Sequence, residues 1–235
     1  MHHEGPLPTP TSPAALVEDA LRLLHGSGSR HGRAVLGLAG PPAAGKSTLA
    51  AHLITEITRR EGPETVAYLP LDGFHLSNAQ LDRLGLRARK GSPESFDAWG
   101  YAALLQRAAA DRFRDVYVPD FDRTLDEPIA ARHVIRPHTR LVITEGNYLA
   151  SDDAPWQAAR RHLHELWYLD TADAVRDARL LDRHRTGGQT SQDARHRIDS
   201  NDHPNGEYVK AGAPLCTRIV QLPDLHPTPV GRSVS

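Results

Sequence analysis

The sequence predicts an α/β protein in which helices cover both faces of a parallel β-sheet. Three short apolar runs, TVAYLPLD, LVITEGNYL and HELWYLD, alternate with helical or polar segments, and this alternation is typical of a parallel sheet. A glycine-rich loop, GPPAAGKST, lies between the apolar run AVLGLAG and a segment with helical periodicity. Because ligands of such sheets bind at the carboxyl ends of the strands, the residues that follow each apolar run are the functional candidates.

A helix and a strand are predicted before the glycine-rich loop. Residues 14–25 carry Leu16, Ala20 and Leu24 at helical spacing, and the next apolar run begins near Ala34. The length and composition of that run are those of a buried strand. The loop is therefore expected to follow the carboxyl end of a buried strand.

The glycine-rich loop fits the pattern of a phosphate-binding loop, in which two glycines separated by four residues precede Lys and Ser or Thr. Gly40 and Gly45 allow backbone turns that other residues avoid, so successive N–H groups can point at a polyphosphate. Lys46 is then expected to reach the β- and γ-phosphates, and the hydroxyl of Ser47 to bind Mg²⁺. The residues predicted to bind the nucleotide are Gly40, Ala43, Ala44, Gly45, Lys46, Ser47 and Thr48.

The segment after the loop places Leu49, Leu53 and Ile57 four residues apart, which predicts a helix with one apolar face. The N-terminus of this helix would face the bound anion, where its dipole and free N–H groups favour negative charge. A chance Gly/Pro turn before a lysine is the alternative, but chance would rarely supply both the strand and the helix.

Composition indicates one globular domain. The chain has 235 residues, of which 39% are hydrophobic and 24% charged, and its net charge of −1 gives no indication of nonspecific binding to nucleic acid or to a membrane surface. Cys216 is the only cysteine, so an intramolecular disulfide is excluded and a reducing cytoplasm is the expected compartment. We predict disordered tails over residues 1–13 and 224–235 and one domain over residues 14–223.

Two carboxylates follow predicted strands. Asp72 comes after TVAYLP, where it could accept a proton from a substrate hydroxyl or orient Mg²⁺ through water. The alternative is a plain Asp-Gly turn that closes the strand. Glu145 ends the apolar part of LVITEGNYL and could supply the negative partner that a metal needs opposite Lys46. Alternatively, Glu145 is a strand-end residue that caps a neighbouring loop.

The region between these two strands is where a substrate would be selected. It mixes cations, carboxylates and aromatic rings, which can bind hydroxyl groups and stack on flat ligands. A solvated, charged loop is the alternative for each single residue. With Asp72 and Glu145, the residues predicted to contact substrate are His75, Arg89, Lys90, Asp97, Phe121 and Arg123.

A helical lid is predicted over about residues 179–200. Arg179 and Arg183 lie four residues apart on one helix face, and Gly187 and Gly188 break the helix. Arginines beside a glycine hinge could close onto a transferring phosphoryl group and neutralise its charge. A solvated helix face with ordinary ion pairs is the alternative.

The segment NDHPNGEY follows the predicted lid. Asn201, Asp202 and Asn205 could contact a ligand, but a turn that caps a helix is the expected role.

Seven blocks, in this order, carry a resemblance to a known group: GPPAAGKST, LDGFH, RKGSPESFD, VPDFDR, ITEGNYL, RLLDRHRTGG and NDHPN. They resemble the uridine kinase, phosphoribulokinase and pantothenate kinase group of P-loop kinases. The similarity is greatest to its bacterial nucleoside/nucleotide kinase-like branch, also labelled fructose-transport-system kinase-like.

The resemblance implies a three-layer α/β P-loop NTPase fold with a five-stranded parallel core and a helical lid. It also implies that ATP and Mg²⁺ are used to phosphorylate a hydroxyl group of a small molecule, and that a homodimer is possible. By position, Asp72 matches the catalytic base of the group and Glu145 its acidic residue near the metal. Arg179 and Arg183 match its lid arginines.

The acceptor is expected to be a nucleoside or a sugar-type molecule, with a pantothenate-like acid as the alternative. An NTP-hydrolysing module that drives a partner protein is a further alternative, because it would share the phosphate-binding loop. A regulatory GTPase is disfavoured, since none of the three lysines, Lys46, Lys90 and Lys210, is followed two residues later by the aspartate of a guanine-reading motif.

Overall fold

The structure is a computed structural model that describes residues 9–26 and 33–222. In these ranges the β-strands are Thr9–Pro10 (β1), Ala34–Ala39 (β2), Val66–Pro70 (β3), Val116–Asp122 (β4), Glu127–Ile135 (β5), Leu141–Gly146 (β6), Glu165–Leu169 (β7) and Arg218–Gln221 (β8). The α-helices are Pro13–His25 (α1), Lys46–Glu61 (α2), Asn78–Leu84 (α3), Ala98–Ala110 (α4), Ala154–Arg160 (α5), Asp173–Thr186 (α6), Ser191–Arg197 (α7) and His203–Lys210 (α8).

The main sheet is parallel, with the strand order β1-β8-β7-β2-β6-β3. The predicted five-stranded parallel core is confirmed as β8-β7-β2-β6-β3, and β1 adds two residues at one edge. β2 lies between β7 and β6, so the strand that leads into the glycine-rich loop is central. Such a strand is covered on both faces and can be apolar along its whole length, as AVLGLA is.

Helices cover both faces of this sheet, which confirms the three-layer prediction. Because side chains of a strand alternate between the two faces, neighbouring residues of β2 belong to different cores. Val35 packs in the core with Tyr101 of α4 and Trp156 of α5. Leu36 and Leu38 pack in the other core with the buried residues of α1 and α2.

The N-terminal tail is shorter than predicted. Thr9 and Pro10 pair with β8, and the backbone N–H of Thr11 donates to Gln221 O at 3.0 Å. The side chain of Ser12 accepts from the backbone N–H of Ala15 at 3.2 Å and caps α1. Residues 9–13 are therefore part of the fold, because they pair with the backbone of the edge strand β8 and cap the N-terminus of α1. The predicted domain start at residue 14 is too late. The tail predicted over 224–235 lies outside the described residues.

A β-hairpin lies beside the main sheet, and the sequence did not predict it. Strands β4 and β5 pair antiparallel, with an irregularity between Val118 and Asp120. The first strand of the hairpin packs against the short 3₁₀ turn Leu71–Phe74, which follows β3. A Cβ on Gly73 would lie 2.4 Å from the carbonyl oxygen of Pro119, so only glycine allows this close approach.

The helices of the C-terminal half run from α6 through α7 and a π-helical turn, Ile198–Asp202, into α8. α6 ends at Thr186, just before the two glycines, as the sequence predicted. None of the helices in the described ranges is long and apolar enough to cross a membrane.

Candidate active site

Three strand ends meet at one edge of the sheet. In the register of β2 and β6, Ala39 lies opposite Gly146, and Pro70 of β3 lies opposite Glu145. The glycine-rich loop follows β2, Asp72 follows β3, and Glu145 is near the end of β6. The parallel arrangement therefore brings together the loop and both predicted carboxylates.

The loop backbone is shaped to surround an anion. Gly40 and Gly45 have φ angles of 149° and 97°, and Ala43 has a left-handed φ of 62°. A left-handed alanine is strained, and such strain is found mainly where function requires it. α2 begins at Lys46 without a side-chain cap, so its first N–H groups have no capping side chain and are available to a ligand.

The ammonium group of Lys46 lies inside the loop. It donates to Gly40 O at 2.9 Å, to Pro41 O at 3.0 Å and to Oδ1 of Asn147 at 2.7 Å. Burial lowers the pKa of Lys46 to about 8, and the negative charges of Glu145 and Asp72 oppose that shift. Asn147 was not among the predicted site residues, because it is 101 residues from Lys46 in the chain and only the fold brings the two together.

Ser47 and Glu145 form the pair predicted to bind metal. Ser47 Oγ donates to Oε1 of Glu145 at 3.1 Å, and the hydroxyl of Tyr68 donates to the same oxygen at 2.8 Å. Burial and the nearby charge of Asp72 raise the pKa of Glu145, whereas Lys46, Tyr68 and Ser47 favour its ionised form.

The donor atoms of this pair fit Mg²⁺. A hydroxyl and a carboxylate oxygen are the hard ligands that Mg²⁺ prefers, and it usually takes few protein ligands beside phosphates and water. The described residues include no cluster of three or more His, Cys, Asp or Glu side chains that could hold a metal on their own.

Asp72 faces the cleft with about a third of its side chain exposed. Its Oδ2 atom lies 3.5 Å from Nη2 of Arg123, which comes from the hairpin turn. The ring of His75 is fixed by Asp72 as well, since Nδ1 lies 2.8 Å from the backbone oxygen of Asp72. Burial lowers the pKa of His75, which favours the neutral ring.

Aromatic rings lie next to the Asp72 turn. The His75 ring centroid is 4.0 Å from that of Phe96 and 4.8 Å from that of Phe121. The ammonium of Lys90 is 4.8 Å from the Phe121 centroid and 2.9 Å from Oδ2 of Asp126. The structure therefore groups His75, Lys90 and Phe121 with Phe96, and substrate contact by the first three remains a prediction.

Helix α6 presents three arginines to the loop and cleft. Arg176 Nε donates to Pro42 O at 3.0 Å, and Nη1 of Arg179 donates to Ala43 O at 3.2 Å. Arg183 is exposed to solvent but has protein on several sides. This partial desolvation and the positive charge of Arg123 lower the pKa of Arg183. Arg176 was missed, although its spacing of three and seven residues from the predicted pair places it on the same helix face.

The backbone of Lys90 and Gly91 is held by the C-terminal helices and by the segment after β6. Lys90 O accepts from Arg197 at 2.8 Å and from Asn201 at 3.2 Å. Gly91 O accepts from the hydroxyl of Tyr148 at 2.5 Å and from Asn205 at 3.4 Å. Asn201 and Asn205 therefore hold the backbone at Lys90 and Gly91, which corrects the expected helix-capping role.

Two residues predicted to contact substrate have structural partners. Arg89 pairs with Glu94 at 3.1 Å on the surface. The carboxylate of Asp97 accepts from the backbone N–H of Gly100 at 2.8 Å and caps α4. Substrate contact by Arg89 and Asp97 remains a prediction.

Relatives of this chain are found among curated proteins and solved structures, although no family model matches it. The chain is 36% identical over 184 residues to a Schizosaccharomyces pombe protein named as a candidate uridine kinase, and the match covers 76% of this chain and 78% of that protein. It is 34% identical over 193 residues to the uncharacterised protein YggC of Escherichia coli, with 81% and 78% coverage.

The fold also matches a solved structure at considerable sequence identity. A crystal structure described as a candidate fructose transport system kinase from Silicibacter sp. TM1040 superposes with a TM-score of 0.80 and 32% identity. The superposition covers 89% of this chain and 98% of that one.

Proposed function

Because the chain belongs to the P-loop kinases related to uridine kinase, we propose that it transfers the γ-phosphoryl group of ATP to a hydroxyl group of a nucleoside or sugar-type molecule. One observation carries this proposal: the anion-binding loop, the acid beside it and Asp72 all lie at one edge of the sheet. A phosphoryl donor and an acceptor need to meet within one such cleft.

The loop and the start of α2 would hold the triphosphate of ATP. The free N–H groups at the N-terminus of α2 suit an anion, and Lys46 would exchange its carbonyl partners for phosphate oxygens. Ser47 and Glu145 would hold Mg²⁺, whose charge, when it is bound, neutralises the phosphate oxygens. Tyr68 keeps Glu145 oriented for this task.

Asp72 would activate the acceptor. Its carboxylate is partly exposed in the cleft and close to aromatic rings on which a flat or ring-shaped molecule could rest. As the hydroxyl oxygen of the acceptor forms its bond to the γ-phosphorus, its O–H bond breaks and the proton passes to Asp72. The bond between the γ-phosphorus and the β,γ-bridging oxygen breaks, and ADP is the leaving group.

Arg179 and Arg183 would stabilise the charge on the transferring group. Arg179 contacts the loop through Ala43 O, and the charge of Arg183 reaches Lys46, whose pKa it helps to lower. If the lid closed and limited the access of water, these guanidinium groups would stabilise such charge more strongly than they do in water. The proposal includes closure of the lid, which is formed by about residues 179–200, over the cleft.

An acceptor screen tests the proposed function. ADP release is measured with Mg-ATP across nucleosides, pentoses, hexoses, their phosphates and pantothenate, and each product is identified by mass. We expect ADP release that depends on an acceptor and a product heavier by one phosphoryl group. ATP hydrolysis that no acceptor changes would instead favour an NTP-hydrolysing module with a protein partner.

A homodimer and a cytoplasmic location are further parts of the proposal. The mass of the purified protein in solution, measured by light scattering at several concentrations, tests the first. Fractionation of cells that produce the protein tests the second.

A further inference from the structure

Arg123 lies beside the proposed base, and it comes from the β-hairpin rather than from the nucleotide loop or the lid. Its Nη2 atom is 3.5 Å from Oδ2 of Asp72, and 61% of its side chain is exposed. A separation of 3.5 Å is an ion pair rather than a short hydrogen bond. The five N–H donors of the guanidinium therefore remain largely available to a ligand that enters beside Asp72.

Two more arginines approach this region from the C-terminal helices. Arg183 is on α6 and Arg197 is at the end of α7, where it donates to Lys90 O and Ala88 O. The charges of Arg123 and Arg197 both act on Arg183 and lower its pKa, so the three guanidinium groups share one region. Among the residues that the structure describes, no carboxylate oxygen lies within 4.0 Å of the guanidinium nitrogens of Arg183 or Arg197.

Three other carboxylates near the cleft have a lysine or imidazole partner, whereas Glu145 accepts hydrogen bonds from Ser47 and Tyr68. The pairs are Asp120 with His133, Asp126 with Lys90, and Asp202 with His184, with N–O distances of 2.9, 2.9 and 2.8 Å. Asp72 pairs with Arg123 at 3.5 Å, and the charges of Asp72 and Asp202 also act on Arg183. Like charges in one region repel, so an anion that bound among the three arginines would reduce their mutual repulsion.

The triphosphate of ATP has binding groups that do not include Arg123 or Arg197. Lys46 lies inside the loop, and Arg179 already contacts Ala43 O there. Arg183 acts electrostatically on both Lys46 and Asp72. Arg123 is attached to the hairpin next to the aromatic rings, on the side where the acceptor would lie.

We propose that the acceptor carries an anionic group, a phosphate monoester or a carboxylate, and that Arg123 binds this group while Asp72 faces the hydroxyl that is phosphorylated. This inference rests on the kinase function proposed above. Guanidinium groups bind phosphate and carboxylate oxygens through paired N–H donors, which fixes the orientation of the ligand as well as its charge. Arg183 and Arg197 add positive charge, and the rings of His75 and Phe121 face the body of the acceptor.

Paired acceptors that differ in charge test the inference by turnover. Ribose is compared with ribose 5-phosphate, and pantothenol with pantothenate, in the ADP-release assay at saturating ATP. We expect the anionic member of a pair to be the better substrate by at least about 30-fold in kcat/KM. The ribose pair and the pantothenate pair distinguish a phosphate from a carboxylate.

The Arg123→Ala variant tests the residue itself. We expect a KM for the anionic acceptor that is about 30-fold higher and a KM for ATP within about 2-fold of the parent. Arg123→Lys should recover part of the loss because it retains the charge. Arg59→Ala is the matched control: it removes an arginine of similar exposure, 64%, that is also paired with one carboxylate, Glu56, on the outer face of α2.

Binding of a simple anion tests the inference without turnover. The protein is loaded with Mg²⁺ and a non-hydrolysable ATP analogue, so the loop is filled, and inorganic phosphate or acetate is added in a calorimeter. We expect at least one of the two anions to bind and Arg123→Ala to weaken that binding by about 10-fold or more.

Four outcomes are distinguishable. Arg123-dependent anion binding without any acceptor-dependent ADP release would contradict the proposed kinase function and support the anion site. Equal or faster turnover of the neutral member of a pair would overturn the inference and leave the kinase intact. The inference would also be overturned if Arg123→Ala raised the KM for ATP as much as the KM for the anionic acceptor. It would be overturned as well if neither anion showed binding that depends on Arg123.

Discussion

The hydroxyl of Tyr68 donates to Oε1 of Glu145 at 2.8 Å, and this is the oxygen that also accepts from Ser47. Tyr68 is on β3 and Glu145 is on β6, so a contact between neighbouring strands orients the acid that faces the phosphate-binding loop. Burial and the adjacent negative charge of Glu145 raise the pKa of Tyr68, which keeps its hydroxyl proton available for donation.

Tyr68→Phe should lower the affinity of the active site for Mg²⁺ without preventing folding. The change removes one of two donors that fix the Glu145 carboxylate, and loss of such an orienting bond commonly costs about 10-fold or more in metal affinity. We expect the Mg²⁺ concentration for half-maximal ADP release to rise by about 10-fold. Tyr117→Phe, which alters an exposed tyrosine of the hairpin, is the control. Equal Mg²⁺ dependence in both variants would contradict the orienting role.

Lys46→Ala should abolish most of the turnover while the fold is retained. Lys46 is the cation inside the loop, and removal of one group that stabilises transition-state charge costs about 10³-fold in kcat. ADP release measures the loss, and circular dichroism shows whether the structure persists. Lys210→Ala is a suitable comparison because Lys210 pairs with Asp173 and Glu207 on the surface. A loss of similar size in that control would indicate a general effect of lysine removal.

Asp72→Asn should lower kcat by about 10² to 10⁴-fold, the usual contribution of a positioned general base. The change preserves the size of the side chain, and ATP is expected to bind through the loop, so the dissociation constant for Mg-ATP should stay within about 3-fold. Single-turnover ADP release and calorimetry separate the two effects. Turnover at the parent rate would remove Asp72 from the role of base.

Arg33→Met should destabilise the protein although Arg33 is not part of the candidate active site. The Arg33 side chain is 1% exposed and donates to five backbone carbonyl oxygens, those of Ala108, Asp111, Arg136, Pro137 and Thr139. Removing the donors leaves several buried carbonyls without partners, and we expect the free energy of unfolding to fall by about 3 kcal/mol.

Urea unfolding measures the loss in Arg33→Met. Arg140→Met is the matched control, since the side chain of Arg140 is 41% exposed and pairs with Glu61 at 3.5 Å. A change below about 1 kcal/mol in Arg33→Met would mean that water can replace the guanidinium.

Cys216 should make stability fall at alkaline pH. Burial raises the pKa of its thiol from 9.0 to about 12. Between these two values the unfolded chain loses the thiol proton while the folded chain retains it, so the unfolded state binds fewer protons and stability falls as pH rises. The contribution is fully present below pH 9.

The alkaline effect is measured by urea unfolding at pH 8.0 and 10.5. The parent should lose up to about 2 kcal/mol more than Cys216→Ala between these pH values, because one pH unit corresponds to about 1.4 kcal/mol per proton. Thiol labelling at pH 8.0 provides an independent measurement, and it should be slow until urea unfolds the chain. Equal pH slopes in parent and variant would contradict a buried, protonated thiol.

The parts of the fold that the sequence predicted are those with strong local patterns. The loop from Gly40 to Ser47 is contiguous, and its glycines, lysine and serine identify it without any tertiary contact. The helix after it shows its buried face in the spacing of Leu49, Leu53 and Ile57, all of which are 0% exposed. The uridine kinase-like group was also predicted correctly from the order of the motifs.

The β4–β5 hairpin was missed because its strands lack the apolar composition of a buried sheet. The first strand contains Pro119, Asp120 and Asp122, and the middle of the second is exposed. Its stability comes from the antiparallel hydrogen-bond ladder and from its close contact with Gly73, and neither is visible in local composition.

The glycine-rich loop, the helix behind it and the alternation of strands and helices can be read from the amino-acid order alone, because each depends on residues close together in the chain. Contacts across long intervals cannot be read in this way, and the folded chain is needed to show that Asn147 meets Lys46, Tyr68 meets Glu145 and Arg123 meets Asp72. Strand order and register bring these distant residues to one edge of the sheet, and a local pattern carries no information about register.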